Sequence, residues 1–367
     1  MKRTLLHLLA VLLSVIAAVQ TAWGQKITLY MGGKQSHEYD ISQLDSIVFS
    51  DAPATVDPDE IVVTVDADGN VDGEHSFSRI DEASFLIDDL KYTVQNGDLV
   101  VSGYDHVSFT GTARIISKLI YLGRLMNVVG IGDVAFTSCN ILISVTIPES
   151  VTTIGGSAFS DCTSLPSINI PESVTSIGEG AFSGCSGLTS ITVETGNPTY
   201  DSRDNCNAII KTETNTLIVG CQSTTIPSSV TSIGDWAFWN CSSLTSIDIP
   251  ESVTSIGDNA FYYCEGLTSI AIPESVTSIA LGTFEYCTGL TTVTSPSSVT
   301  SIGRLAFYGC SSLTDVYCCA ENVPSVESGA FYESSYSSAT LHVPAGSVNA
   351  YRAKVPWKNF GSIVAIE

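Results

Sequence analysis

The chain has 367 residues, enough for two or three ordinary domains or for one elongated array of repeats. Acidic residues outnumber basic ones by 38 to 15, and the formal net charge is −23. Because phosphate groups are bound chiefly by Lys and Arg, this balance argues against nucleic-acid binding and against attraction to an anionic membrane. Only 14% of the residues are charged while 44% are hydrophobic, which excludes a charge-rich disordered chain.

Residues 1–24 have the pattern of a secretory signal peptide. Lys2 and Arg3 precede an apolar run, and Ala22-Trp23-Gly24 is a small-x-small cleavage site before the next residue. An uncleaved membrane anchor is the alternative, but the run is short for a membrane span. We therefore expect an exported chain, extracellular or at the cell surface, with the periplasm as a further option and no direct membrane insertion after cleavage. No Cys precedes Cys139, so we expect no lipoprotein-type anchor.

Small β modules are predicted before the main array. Residues 25–50 predict an N-terminal β module with a hairpin around Gly32-Gly33, and residues 51–60 predict an acidic linker. Residues 61–127 predict a β-rich N-terminal cap region in which Asn96-Gly97 forms a tight hairpin turn.

The dominant feature is a 23-residue repeat within residues 128–342. One copy reads IPESVTTIGGSAFSDCTSLPSIN, and ragged copies stand at each end of the array. Full or degraded copies begin at Ile147, Ile170, Ile226, Ile249, Ile272 and Ser295. The repeat therefore predicts about eight units, with atypical units at both ends, as capping of an array requires.

The residues of one unit predict its conformation. Leu188 and Ile191 predict a short strand with inward-facing apolar side chains, and the Pro that follows the strand in the regular copies ends its ladder. Gly178 permits a tight bend, and Ala181-Phe182 fill the interior of the coil. One unit cannot bury these groups alone, but stacked neighbours join them into a continuous core. The sequence thus predicts a β-rich solenoid preceded by small β-hairpin modules.

Residues 193–225 interrupt the array with one period plus ten residues. The segments NAIIK and TLIVG flank Thr212–Asn215, which predicts a β-hairpin insert standing off the coil. Residues 343–367 predict a C-terminal cap with a short helix near residues 347–353 and a closing strand.

The repeat phrase IPxSVTSIGxxAFxxCxxLTSIxIP resembles the BspA-type leucine-rich repeat, also called the Treponema pallidum type, of Bacteroidetes surface proteins. The resemblance covers roughly residues 128–342, and the leading and closing segments are similar to end modules of such proteins. It implies a leucine-rich-repeat solenoid, export, and adhesion to host proteins or other cells. It implies no catalytic residues, so none is carried over.

Seven of the eleven cysteines recur at the repeat period. We predict that they form a column of small buried thiols, and a metal site, which needs clustered CxxC spacing, is not expected. Cys206 and Cys221 flank the insert and are the best disulfide candidates, while Cys318-Cys319 is left unassigned. The column comprises Cys139, Cys162, Cys185, Cys241, Cys264, Cys287 and Cys310.

No catalytic constellation is recognisable in the sequence. It contains neither HExxH nor GxSxG, and no His lies inside the regular repeats. Glu149 and Glu172 recur after Pro at the repeat period, which is typical of a solvated turn position. We therefore predict a protein that is not an enzyme and needs no cofactor. An enzyme with a site at the hairpin insert is the lesser alternative, and it would show a convergent polar pocket there.

Aromatic residues follow the repeat Phe in the C-terminal units only. Exposed aromatics among few charges have the composition of a recognition surface. The alternative is that these rings cover one another as structural ladder residues. The candidate binding residues are Trp236, Trp239, Tyr262, Tyr263, Tyr286 and Tyr308.

A second candidate surface is a variable column on the strands. Ligand-contacting positions of a solenoid vary from one repeat to the next, but positions under no constraint would show the same variation in a single sequence. It comprises Thr146, Asn169, Thr192, Asp248, Ala271, Thr294 and Tyr317. We predict a surface protein that recognises a host or microbial protein, or a glycan, by one of these two faces, with a passive spacer as the alternative.

Overall fold

The computed structural model describes residues 26–31, 34–40, 64–65, 77–81, 84–121 and 124–366. The expected signal peptide and acidic linker lie outside these residues. The chain divides into two compact units, the first comprising residues 1–109, 114–131 and 148–151, and the second comprising residues 110–113, 132–147 and 152–367. No helix within the described ranges is long and apolar enough to cross a membrane.

The N-terminal part of the chain is made of short strands. They are β1 (Lys26–Met31), β2 (Lys34–Asp40), β3 (Thr64–Val65), β4 (Phe77–Asp81), β5 (Ser84–Ile87), β6 (Leu90–Gln95), β7 (Asp98–Tyr104), β8 (Thr112–Arg114), β9 (Lys118–Tyr121) and β10 (Arg124–Ile131). β1 and β2 pair antiparallel, which confirms the first hairpin, although residues 32–33 lie outside the described residues. β4 to β7 form an antiparallel meander, and β10 pairs with β7 in parallel.

The tight turn between β6 and β7 is also confirmed. Asn96 and Gly97 have φ angles of 53° and 94°, and they join the paired residues Gln95 and Asp98. Positive φ at both central residues defines the turn type that matches the twist of a two-residue hairpin.

The second unit contains the remaining strands and one α-helix, α1 (Val348–Ala353). The strands are β11 (Ser144–Thr146), β12 (Thr153–Ile154), β13 (Ser167–Ile170), β14 (Ser176–Ile177), β15 (Ser190–Val193), β16 (Tyr200–Asp201), β17 (Ala208–Lys211), β18 (Thr216–Gly220), β19 (Ser232–Ile233), β20 (Ser255–Ile256), β21 (Ser269–Ala271), β22 (Ser278–Ile279), β23 (Thr292–Ser295), β24 (Ser301–Ile302), β25 (Asp315–Cys318), β26 (Ser325–Val326), β27 (Thr340–Val343) and β28 (Ser362–Ala365).

These strands form the predicted solenoid. Equivalent strands pair in parallel at an offset of one repeat, as Ser167 with Ser190 and Ser278 with Ser301. The protein is a β-solenoid of about ten turns of about 23 residues. The sequence predicted about eight turns. β28, which belongs to the expected C-terminal cap, continues the parallel sheet β21-β23-β25-β27-β28 beyond the recognisable repeats.

The core is a stack of phenylalanine rings in two runs. The first run consists of the turns that contain Phe136, Phe159 and Phe182, whose neighbouring centroids are 5.2 and 5.3 Å apart. Neighbouring rings of the second run are 4.9–5.5 Å apart. The second run consists of the turns that contain Phe238, Phe261, Phe284, Phe307 and Phe331. All eight rings are buried, so each run has its own continuous apolar core.

Neighbouring turns are joined by a repeated set of backbone hydrogen bonds. In the first run the N–H groups of Ser157, Phe159 and Asp161 donate to the C=O groups of the next turn at 2.8–3.0 Å. In the second run the N–H groups of Asn259 and Tyr263 make the equivalent bonds at 2.8 and 2.9 Å. The two runs therefore share one backbone geometry.

The periodic cysteines are buried free thiols, as predicted. In both runs a thiol donates to the C=O of the preceding turn's Phe, as Cys185 does to Phe159 at 3.0 Å and Cys264 to Phe238 at 3.1 Å. Burial raises the pKa of the Cys310 thiol to about 12, so it stays protonated and can keep donating.

Cys206 and Cys221 form no disulfide, so the best disulfide candidates of the sequence are free thiols. Each thiol donates to a backbone carbonyl instead, Cys206 to Ala208 at 3.8 Å and Cys221 to Asn207 at 3.4 Å. Burial raises the pKa of Cys206 to about 11.

The insert contains the predicted hairpin, since β17 and β18 pair antiparallel. The expectation that it stands off the coil is wrong. β18 also pairs in parallel with β19, with Leu217 opposite Ile233, and both of these side chains are buried. The hairpin belongs to the sheet because its apolar second strand takes the place of a missing solenoid turn.

Candidate functional site

The six predicted aromatic residues lie together on the second run. They are named the aromatic stripe, and all six side chains are half-buried. Consecutive rings are in contact over the whole set, with centroid distances of 4.6–6.2 Å. The order of contacts is Trp236, Trp239, Tyr262, Tyr263, Tyr286 and Tyr308. The stripe is a continuous aromatic surface whose rings also partly cover one another.

Three stripe residues adopt the left-handed backbone conformation. The φ angles are +60° for Trp236, +58° for Tyr263 and +57° for Tyr286. The equivalent positions of the first run adopt the same conformation, with Gly180 and Gly184 in one turn but Ser157 and Asp161 in another, where the φ angles are +51° and +58°. The left-handed conformation costs a non-glycine residue about 1 kcal/mol or more. Because Ser157 and Asp161 bear this cost without an aromatic ring, the conformation is a property of the repeat turn and not of the stripe.

The hydroxyl groups of the stripe lie among carboxylates. Burial and the nearby Glu285 raise the pKa of Tyr262 to about 12. Side-chain hydrogen bonds with Glu333 and Tyr286 raise the pKa of Tyr308. Both hydroxyls stay protonated at neutral pH, and the stripe presents aromatic faces and hydroxyl groups in an acidic environment.

The two runs meet at an irregular junction because the insert places a strand end between them. Gly184 N–H donates directly to the C=O of Trp239 at 2.9 Å, as the regular pattern requires. Gly220 N–H, however, donates to the C=O of Ala237 at 2.8 Å, which is the acceptor that the pattern assigns to Phe182. The end of β18 therefore replaces part of the turn that would precede the second run.

A cleft of about 170 Å³ lies at this junction and is named the junction cleft. Its lining residues come from the last turn of the first run, the end of β18 and the first turn of the second run. They include Glu179, Phe182, Cys185, Ile218, Val219, Asp235, Trp236 and Trp239. The indole nitrogen of Trp239 is buried, and no described residue accepts its N–H.

Sequence reasoning identified the two tryptophans but not the cleft. The available signal was the length of the interruption, since an insert of one period plus ten residues cannot restore regular stacking on both sides. The apolar segment TLIVG indicated a strand but not its position between the two runs.

The residues of the variable strand column are exposed or half-buried. Two of them are joined by a hydrogen bond, which Thr192 donates to Asn169 at 2.8 Å, and Asn169 in turn donates to the neighbouring Glu194 at 2.7 Å. At the C-terminal end the ring of Tyr317 stacks on His342 with centroids 4.2 Å apart. This face therefore stays a second candidate surface, although the side chains of Asn169 and Thr192 already have hydrogen-bond partners within the protein.

Within the described ranges, no group of three or more His, Cys, Asp or Glu side chains could hold a metal ion. A leucine-rich-repeat solenoid is typical of non-enzymatic recognition proteins. The expectation that the chain is not an enzyme stays a prediction.

The parallel stacking of 23-residue turns around buried Leu, Ile and Phe defines the molecule as a leucine-rich-repeat solenoid. Residues 118–204 and 209–338 match the family model described as "BspA type Leucine rich repeat region", which is found in six copies. Because the match covers more than half of the sequence, the chain belongs to the BspA-type leucine-rich repeat family. The resemblance seen in the sequence is confirmed.

Several solved structures are similar to this chain at low sequence identity. A leucine rich cell surface protein from Faecalibacterium prausnitzii A2-165 is 20% identical, with 78% of this chain and 96% of that chain covered and a TM-score of 0.39. The pneumococcal vaccine antigen PcpA is 15% identical, with 78% and 99% covered and a TM-score of 0.45. A leucine-rich repeat protein from Eubacterium ventriosum ATCC 27560 is 21% identical, with 80% and 86% covered and a TM-score of 0.43. A comparison with curated proteins found no match.

Proposed function

We propose that this chain is an exported protein that binds a host or microbial surface protein through the aromatic stripe and thereby mediates recognition or adhesion at the cell surface. A glycan is the alternative ligand of the same surface, since sugar rings also stack on aromatic side chains. Family membership supports the recognition role, and the continuous, half-buried row of rings on one run carries the choice of surface.

The contrast between the two runs supports a role beyond structure. Thr137, Ser160 and Ser183 in the first run occupy the positions of Trp239 and Tyr262 in the second. Both runs nevertheless form the same ladder and the same phenylalanine stack. The solenoid does not need aromatic residues at these positions, and Tyr, Trp and Arg dominate the binding energy of protein interfaces.

The test is to replace the stripe with its first-run counterparts. The variant carries Trp236→Gly, Trp239→Ser, Tyr262→Ser, Tyr263→Gly, Tyr286→Gly and Tyr308→Ser, which are the residue types that the first run carries at the same positions. The native protein and the variant are screened against host matrix proteins and a glycan panel. Circular dichroism and thermal unfolding establish that the variant is folded.

The matched control changes the other candidate face by Thr294→Ala with Tyr317→Ser. We expect a ligand of the native protein to be lost by the stripe variant and kept by the control. The opposite result would move the site to the strand column. Failure of the native protein to bind any member of the panel would favour the passive spacer.

A further inference from the structure

We propose that the junction cleft binds one basic side chain, an arginine or a lysine, of the partner protein. This inference rests on the proposed function, because it names a feature of the partner recognised by the same surface. Trp236 and Trp239 belong both to the stripe and to the cleft, so an anchor here would be continuous with the rest of the interface.

The size of the cleft suits one side chain rather than a whole small molecule. Pockets for small organic ligands are typically about 300–1,000 Å³, and the junction cleft is about 170 Å³. Ile218 and Val219 contribute aliphatic surface to the lining, and Phe182 contributes an aromatic ring. Lysine and arginine carry methylene stems that pack on such surfaces while the charged head group stays near water.

The two indole rings of the lining form a corner. The ring planes of Trp236 and Trp239 are 86° apart, with centroids at 5.9 Å. A cation within about 6 Å of an indole centroid is attracted by the negative face of the ring, and Trp is the most favourable aromatic partner. The planar guanidinium group of arginine can also stack on an indole.

The charge of the lining selects a cation. Glu179 and Asp235 line the cleft and are exposed, whereas its lining residues include no Lys, Arg or His. Asp235 accepts the N–H of Asp258 through Oδ1 at 2.8 Å, which holds this carboxylate in place next to Trp236. An anionic side chain would be repelled here, and the formal net charge of −23 favours a basic partner surface as a whole.

The lining also indicates that the cation is carried by a side chain. Ile218, Val219 and Phe182 offer apolar surface that the methylene stem of lysine or arginine can cover, and a simple inorganic cation would leave this surface without a contact.

The experiment follows the indole signals of the purified protein labelled with ¹⁵N-tryptophan. The chain has four tryptophans, and the signal of Trp239 is the one that disappears in Trp239→Phe. The probes are the N-acetyl methylamides of arginine, lysine and norleucine, the last having a similar stem without charge. We expect the arginine and lysine probes to shift the Trp239 signal with millimolar dissociation constants, and norleucine to bind about ten-fold more weakly.

The variant that tests the charge is Glu179→Gln with Asp235→Asn. The new amide oxygen at position 235 can still accept the Asp258 N–H, so the turn is retained while the charge is removed. We expect the arginine probe to bind this variant about ten-fold more weakly. The matched control, Glu251→Gln with Glu274→Gln, makes the same change of net charge on exposed turns of the second run, and it should leave binding unchanged.

Three results would overturn the inference: no shift of the Trp239 signal, equal binding of norleucine, or equal weakening in the control. The proposed function fails separately. If the probes bind as expected while no partner depends on the stripe, the cleft is a basic-side-chain site and the stripe is not the interface. If a stripe-dependent partner is found while no probe shifts Trp239, only the cleft inference is wrong.

Discussion

In the first run the residue after each repeat phenylalanine is Thr137, Ser160 or Ser183, whereas in the second run the first two are Trp239 and Tyr262. The backbones of the two runs nevertheless make the same inter-turn bonds, and their phenylalanines stack at the same spacing. The buried residues of a turn therefore do not determine which side chains its outer loop presents.

This difference separates two roles within one 23-residue unit. The inward positions are occupied by Leu, Ile, Val, Ala, Phe and Cys in both runs, because neighbouring turns must bury them together. The residue after the repeat Phe is small and polar in the first run, whereas the second run carries Trp239, Tyr262 and Tyr308 there, together with Glu285. The predictions below test whether the cores are equivalent and whether the outer residues are dispensable for folding.

The largest effect is expected at the point where the two runs join. A Cβ added to Gly220 would lie 2.1 Å from Cε1 of Phe238, and this ring is fully buried with Phe261 4.9 Å away. Because the ring has no free space to move into, Gly220→Ala should destabilise the protein by about 3 kcal/mol or more. Urea unfolding followed by circular dichroism measures the loss.

Gly346→Ala is the control for Gly220→Ala. A Cβ at Gly346 has no neighbouring atom within 4 Å, so the change should be within about 0.5 kcal/mol of the native protein. Equal stability of the two variants would show that the end of β18 does not pack against the first ring of the second run.

The cores of the two runs should be equivalent. Phe159 and Phe261 are both fully buried and each lies between two other phenylalanine rings. Truncation of such a ring leaves a cavity, so Phe159→Ala and Phe261→Ala should each cost about 3–5 kcal/mol and differ by less than about 1 kcal/mol. Urea unfolding with comparison of m-values tests this, since unequal m-values would reveal separate unfolding of the runs.

Much of this fold is predictable from the sequence because the residues that must be buried recur at a constant spacing. A fixed 23-residue period with Gly, Ala-Phe and Cys at constant positions leaves few ways to bury the apolar residues, so the solenoid, the thiol column and the contiguity of the stripe all follow from it. The turn at Asn96-Gly97 is equally local, because its two residues carry the required positive φ themselves.

The junction is less predictable because it depends on an interaction without a period. The segment around Leu217 could pair only with its own hairpin or also with the neighbouring turn, and nothing in its composition distinguishes these cases. The structure shows that it does both. The junction cleft lies where β18 makes this second pairing. The sequence therefore identified Trp239 but not its surroundings.

The stripe should be far less important for stability than the core. In Tyr263→Gly and Tyr286→Gly the loss of ring contacts is opposed by relief of the left-handed backbone, where φ is +58° and +57°. Each change should therefore alter stability by no more than about 1 kcal/mol. Thermal and urea unfolding measure the stability of both variants. A loss of stability as large as that of Phe261→Ala would show that the stripe is a structural ladder.

The smallest expected effect is the pH dependence that Tyr262 contributes to stability. Burial and the nearby Glu285 raise the pKa of Tyr262 to about 12, against an ordinary value of about 10. A raised pKa means that the folded state keeps the proton more firmly than the unfolded state. Its contribution to stability is therefore complete below pH 10 and is lost as the pH rises from about 10 to 12.

Thermal unfolding between pH 9 and pH 11 should accordingly show a falling midpoint in the native protein and a shallower fall in Tyr262→Phe. The difference should be below about 1 kcal/mol, because the half-buried ring is partly screened by solvent. Ser160→Ala at the equivalent first-run position removes a hydroxyl that does not titrate in this range, so it should leave the native slope unchanged. An identical slope in all three proteins would show that Tyr262 titrates as an ordinary exposed tyrosine, and the acidic environment of the stripe would then be unimportant for its hydroxyl groups.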